Sequence, residues 1–207
     1  MIAARYVSSL ASVLALGLGA CGGGNKAAPP SAPPGQEAPA EPPQGPGPGA
    51  QAPAGQLGDE EIAGATAVAD NMLISQAEIA LARAKNPDVK KFAQKLIDQH
   101  LDHKRRQAEI VQKLQIVPAE SPTSHTLASE AEKTASALQA REGADFDRAF
   151  IDAQIRGHLL LLDILDNRLL PSVRSPDLKS SLQDYRSTEE SHLKQAQDLQ
   201  KELASAQ

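Results

Sequence analysis

Three histidines stand where leucines are expected. His100, His158 and His192 each occupy a position in a separate stretch whose apolar residues recur at alternating spacings of four and three. Glu189 precedes His192 by three residues, which puts both side chains on one face of a helix. Imidazoles and carboxylates directed inward from facing helices are the donors by which helical bundles hold iron, manganese or zinc. Glu-x-x-His is also the spacing of di-iron bundles, but those need it on two helices. Ile97 and Ile155 fill the corresponding positions before His100 and His158, so an oxygen-activating di-iron centre is not expected.

Two readings follow. In the favoured one, the histidines form a buried hydrogen-bonded network with Glu189, Glu78 and glutamine side chains, because polar groups in a core are costly unless paired and such networks fix helix register. In the alternative, His100, His158, His192 and Glu189 bind one transition-metal ion (Fe, Mn or Zn), with Glu78 as a candidate further ligand. Glu78 is flanked by Ile74 and Leu81, but the main apolar arc of its helix lies elsewhere. A third option is a pH response, since imidazole titrates near neutrality. His103, at a seam edge, and His125, near a helix start, carry no functional expectation.

The elements that must position these residues are helices. Asp59 is placed to cap a first helix reaching about Lys85, with Glu60 and Glu61 in its first turn. Asn86-Pro87 and Ser121-Pro122 each pair a cap with a proline at the first helical position. They open a second helix to about Gln115 and a shorter third that stops near Gly143. A fourth is expected from about Asp145 to Leu170, ending at Pro171, and Ser175-Pro176 opens a fifth to about Leu203. The sustained seams, such as Leu178, Leu182, Tyr185, Glu189, His192, Ala196, Leu199 and Leu203, predict antiparallel helices packed as a bundle. No stretch alternates with period two, so no sheet is expected.

Other chemistry is excluded by composition. The one cysteine, Cys21, lies outside this region, so neither thiol catalysis nor a disulfide is available to the domain. No serine sits on a strand–turn–helix elbow, and the glycine-rich stretches lack the Lys-Ser/Thr of a phosphate loop. A formal net charge of −5 argues against nucleic acid as a partner.

The N-terminus supplies an address. Arg5 and the apolar run Val7–Gly19 read as a secretory signal, too short to span the ~30 Å of a bilayer core. Leu18-Gly19-Ala20-Cys21 looks like a lipobox, which implies cleavage before Cys21 and acylation of its thiol. Gly22 at the next position favours the outer membrane over the inner one. Ten of the fifteen prolines fall between Gly22 and Gly55, a composition expected to stay disordered and extended as a tether. The organisation expected is a signal peptide over 1–20, a lipidated tether over 21–56 and a helical domain over 57–207.

Three ordered motifs carry a family resemblance. They are Ala77-Glu78-Ile79-Ala80-Leu81 with Asn86-Pro87-Asp88-Val89-Lys90-Lys91-Phe92-Ala93-Gln94 and His100; Gly143-Ala144-Asp145-Phe146-Asp147-Arg148-Ala149-Phe150 with His158; and Glu190-Ser191-His192-Leu193. The chain resembles the domain of unknown function 4142 family from about Asp59 to Ala204. The resemblance implies a ferritin-like bundle, exported and often lipid-anchored, with no established activity. It maps the family's polar positions onto Glu78, His100, His158 and His192. Members commonly carry an acid just before the histidine at position 100, where this chain has Gln99, which removes a candidate orienter of a metal ligand. The function expected is a non-enzymatic periplasmic lipoprotein that engages the membrane through its lipid and an envelope protein through its bundle; the alternative is a metal-binding or metal-dependent redox bundle.

Overall fold

Three of the long helices begin at a side chain that accepts from first-turn amides. In the computed structural model, which describes residues 56–205, α1 spans Asp59–Arg83, α2 Pro87–Lys113, α3 Pro122–Gln139, α4 Gly143–Ile164 and α6 Pro176–Ser205. A π-helical turn, Leu165–Leu169, joins α4 to the short α5, Leu170–Ser172, so these three form one rod. No strand occurs among the described residues. The expected signal peptide, Cys21 and the expected proline-rich tether lie outside them.

The caps agree with the sequence at three helices, Ser175 Oγ accepting from the Leu178 amide at 3.3 Å before α6, and differ at α1. Asn86 accepts from the amides of Asp88 and Val89 at 2.8 and 3.2 Å, and Ser121 accepts from that of Ser124 at 3.1 Å. At α1 the cap is Gly58, not Asp59. The Asp59 carboxylate is committed instead to the amides of Arg174 and Ser175, each at 2.9 Å, and so ties α1 to the turn before α6. Gly143 does not end α3, which stops at Gln139; it opens α4 with φ 58°, a left-handed conformation suited to glycine. The fourth helix ends within one residue of Pro171, close to the expectation. The rod passes it as far as Ser172, and the wider π-helical turn just before it, one place where helices accommodate an irregularity, relieves the crowding a proline ring imposes on the preceding turn.

Side-chain pairs fix the topology. Thr66 meets Gln107 while Asn71 meets Lys104, so α1 and α2 are antiparallel. Lys95–Gln195 and Lys113–Asp177 make α2 and α6 antiparallel. Asp152–Gln200 and Asp166–Arg186 do the same for the α4 rod and α6, and Gln76–Gln154 with Lys85–Asp147 for α1 and α4. Consequently α2 and α4 run the same way on one diagonal of a four-helix bundle, and the link between them must travel its length. That link is α3, which runs parallel to α1, from Ala119 bonded to Glu60 up to Leu138 beside Arg83. One long crossover of this kind is the ferritin-like connectivity. It begins tightly: a Cβ on Gly64 would stand 2.0 Å from the Ala119 carbonyl oxygen, so only glycine lets the crossover lie on α1.

The core has two apolar blocks. One gathers Leu73, Leu161, Leu165, Leu169, Leu178 and Leu182. The other gathers Phe92, Leu96, Phe146, Phe150 and Ile151. Between them, along α1, α2, α4 and α6, lies a layer of buried polar side chains.

Candidate metal centre

All four bundle helices contribute to that layer. α2 brings His100, α4 brings His158, α6 brings Glu189 and His192, and α1 brings Asp70. None of these five is more than 1 % exposed. One donor atom from each of His100, His158, Glu189 and His192 lies within 4.8 Å of the others. Glu189 Oε1 is 3.7 Å from His100 Nε2 and 3.9 Å from His192 Nδ1, and Oε2 is 3.5 Å from His158 Nε2. These atoms make no hydrogen bond to one another or to anything else: His100 Nε2, His158 Nε2, His192 Nδ1 and both Glu189 oxygens are buried without a partner.

The opposite edge of every imidazole is held. His100 Nδ1 donates to Asp70 Oδ1 at 2.9 Å, His158 Nδ1 donates to the Gln154 carbonyl at 2.7 Å, and His192 Nε2 donates to Gln99 Oε1 at 2.6 Å. Each outer bond fixes a tautomer in which the inner nitrogen keeps its lone pair, as outer partners do for metal-ligating histidines. Asp70 is shared, its Oδ2 accepting from His103 Nδ1 at 2.7 Å. Tyr185 lies flat on His103, with ring centroids 3.8 Å apart, and its buried hydroxyl lacks a hydrogen-bond partner.

The electrostatics keep two of the imidazoles free of protons and work against ionisation of the carboxyl. Burial, assisted by the Coulomb field of His100, lowers the His158 pKa to about 4 against the pull of its bond to Gln154. Burial, then His100, His158 and Lys95, lowers that of His192 to about 2. Both rings are therefore neutral at neutral pH. Burial raises the Asp70 carboxyl, but hydrogen bonds from His100 and His103, with their Coulomb fields, outweigh it and leave it below the usual carboxylate value. For Glu189, burial and then the nearby Asp70 charge act together and push its carboxyl well up. Tyr185 is likewise pushed up by burial, then by Asp70 and Glu189.

The donor set fits a metal ion. Four nitrogen or oxygen donors about 2.0–2.2 Å from one ion stand roughly 3.3–3.6 Å apart, slightly closer than the carboxylate–imidazole separations here. The expected network is formed only in part: His192 bonds a glutamine, Gln99, but Glu189 stands 3.5–3.9 Å from the three imidazoles and bonds none of them. Glu78 is exposed and outside the cluster: α1 turns Ala77 and Ala80 inward and Glu78 outward. The acid that α1 does contribute is Asp70. It falls on the series Thr66, Asp70, Leu73, Ala77 and Ala80, spaced by four, three, four and three, which was the available signal. Gln99 takes the orienting part that an acid at that position would otherwise have played, but toward His192 rather than its neighbour His100. His103 belongs to the layer around the centre, whereas His125 is exposed beside Glu120.

Residues 44–199 match the family model described as Domain of unknown function (DUF4142). The chain belongs to that family. The DUF4142 fold is shared with two solved structures at low sequence identity. One is the "putative secreted protein DUF305 from Streptomyces coelicolor", at TM-score 0.59 and 11 % identity over 70 % of this chain and 92 % of that one. The other is CopM in its Cu(II)-bound form, at TM-score 0.57 and 19 % identity over 71 % of this chain and 98 % of that one. No curated protein matches the DUF4142 chain. No helix among its described residues is long and apolar enough to cross a membrane.

Proposed function

We propose that this protein is an envelope-anchored metal-binding bundle, holding one divalent transition-metal ion on His100 Nε2, His158 Nε2, His192 Nδ1 and a carboxylate oxygen of Glu189. The observation that carries the reading is the convergence of five buried atoms without partners, backed by outer bonds that turn each lone pair inward. Four protein donors close a tetrahedron, which favours holding an ion over catalysis at an open position. Three imidazoles and a carboxylate, with no sulfur, suit zinc, iron or divalent copper better than monovalent copper. Copper also leads the general affinity order for such sites, and CopM, whose fold is similar, has a Cu(II)-bound form. In this proposal the lipid on Cys21 attaches the protein to the outer membrane, the segment up to Gln56 carries the bundle away from it, and an envelope protein exchanges the ion or docks on the bundle.

Elemental analysis of the purified full-length chain beside His158→Ala and His192→Ala tests the site. A single equivalent of metal, lost in both variants, is the expected result. No metal in the wild type, with no thermal shift on adding iron, manganese, zinc or copper, overturns it. Fractionation of cells carrying Cys21→Ser tests the anchor separately. Release of the variant into the soluble periplasmic fraction is expected, and its retention in the membrane pellet overturns the lipid attachment.

A further inference from the structure

The four donor residues are sealed, so an ion reaches them only if something moves. The three imidazoles differ in what holds them. His158 is held by the carbonyl of Gln154, part of α4 itself. His100 is held by Asp70, which is fully buried and doubly bonded, at 2.9 and 2.7 Å. His192 alone is held by a side chain at the surface, since Gln99 is exposed on α2.

We infer that Gln99 is the latch of this site and that the ion passes through the α2–α6 seam beside it. The inference rests on the metal-binding reading above. Rotation of one exposed glutamine breaks one hydrogen bond, after which the His192 ring is held only by packing, edge-on to Phe92 and beside His100 and His158. A competing route starts from the groove of about 400 Å³ that His103 lines with Glu109, Asp177 and Asp184. It is blocked by His103 and Asp70, whose two hydrogen bonds would both have to break in the interior. Opening at Gln99 disturbs less. Gln99 is thus a positioning residue: it keeps the proton of His192 on Nε2 and the Nδ1 lone pair directed inward.

Two readouts on the full-length chain test this, with Gln99→Leu, Gln99→Glu and the surface control Gln94→Leu. In the metal-free protein, nitrogen-15 NMR of the His192 ring is expected to show the Nε2–H tautomer in wild type, Gln99→Glu and Gln94→Leu. Gln99→Leu is expected to mix in the Nδ1–H form. An unchanged tautomer in Gln99→Leu overturns the latch. In the zinc-loaded protein, release to excess chelator is expected to be at least about tenfold faster in Gln99→Leu than in wild type, in the range seen when an outer partner is lost. Equal release rates overturn the route. A wild type that binds no zinc, copper, iron or manganese overturns the metal reading and the route with it, while the tautomer still decides whether Gln99 positions His192.

Discussion

Two buried polar clusters lie along the same bundle, and they solve opposite problems. Toward the start of α1, Gln107 donates to Thr66 Oγ1 and, at 3.4 Å, to the Ala63 carbonyl, while the Thr66 hydroxyl reaches the carbonyls of Ile62 and Ala63. That cluster is closed on itself, as buried polar groups in folded proteins generally are. One turn along α1, the His100–His158–Glu189–His192 centre is bonded only around its outside. The molecule can therefore satisfy interior polar groups from this same pair of helices. The five unpaired atoms at the centre, with the Tyr185 hydroxyl and Gln154 Oε1, are the exceptions among the described residues, and the ion proposed above would resolve the five.

The largest effect expected from breaking this contrast has an unusual sign. Glu189→Leu removes both unpaired oxygens and fills the space with an apolar side chain. A buried carboxyl without partners costs on the order of 1–3 kcal/mol, so the metal-free variant should unfold at higher denaturant concentration than the metal-free wild type. Metal binding should fall with it, by a hundredfold or more. Gln107→Leu, in the closed cluster, should do the reverse. It takes away the amide donor that Thr66 Oγ1 and the Ala63 carbonyl accept from, destabilises by about 1–2 kcal/mol and leaves the metal content unchanged. Chemical denaturation with and without metal reads both, and a Glu189→Leu protein less stable than the metal-free wild type would sink the contrast.

How far this was legible in the sequence depends on the residue. The helices and seams followed from caps and spacing, and His100, His158, Glu189 and His192 followed because each interrupts an apolar series. Asp70 did not. α1 is alanine-rich and nearly apolar all round, so its inward stripe does not stand out, and Glu78 drew the notice that belonged to Asp70. Gln99 could not be found by periodicity at all, because it reaches His192 from the exposed side of α2. Choosing between a network and a metal site needed the distances. Both contain the same residue types, and only the 3.5–3.9 Å gaps separate them.

The next effect sharpens the contrast through the outer shell. Asp70→Asn replaces the shared anion that holds His100 and His103. Affinity for the ion should fall about 10- to 100-fold, the usual consequence of losing an outer partner. Isothermal titration with zinc or copper measures it, and an affinity within threefold of wild type would separate Asp70 from the site.

pH offers a milder perturbation. His158 and His192 are neutral when folded down to about 4 and about 2, whereas unfolded histidine gains its proton near 6.5. Between those limits the unfolded chain binds more protons, so their contribution to stability is lost as pH falls below 6.5. Glu189 has the opposite sign. Its folded pKa is raised, so the folded state keeps a proton the unfolded chain has released, and stability falls as pH rises above about 4.5. The two contributions oppose each other as pH falls from 6.5 toward 4.5, so the metal-free Glu189→Gln protein should lose melting temperature more steeply over that range than the metal-free wild type. Equal slopes in the two proteins would mean that Glu189 does not hold its proton more tightly in the folded state.

The smallest effect lies outside both clusters and checks that the frame and the site are separable. α2, which carries Gln99, His100, His103 and Gln107, ends in a left-handed residue, Gln115, at φ 56°. The amide of Ile116 closes the end by bonding back to the Val111 carbonyl at 3.0 Å. A side chain pays about 1 kcal/mol for that conformation, and glycine does not. Gln115→Gly should therefore stabilise the protein by up to about 1 kcal/mol, less the greater freedom glycine gives the unfolded chain. Because the turn lies three helical turns beyond His103, metal affinity should stay within twofold of wild type. An affinity change larger than that would mean that the end of α2 sets the position of His100, and that the centre is held by the whole helix rather than by the hydrogen bonds immediately around it.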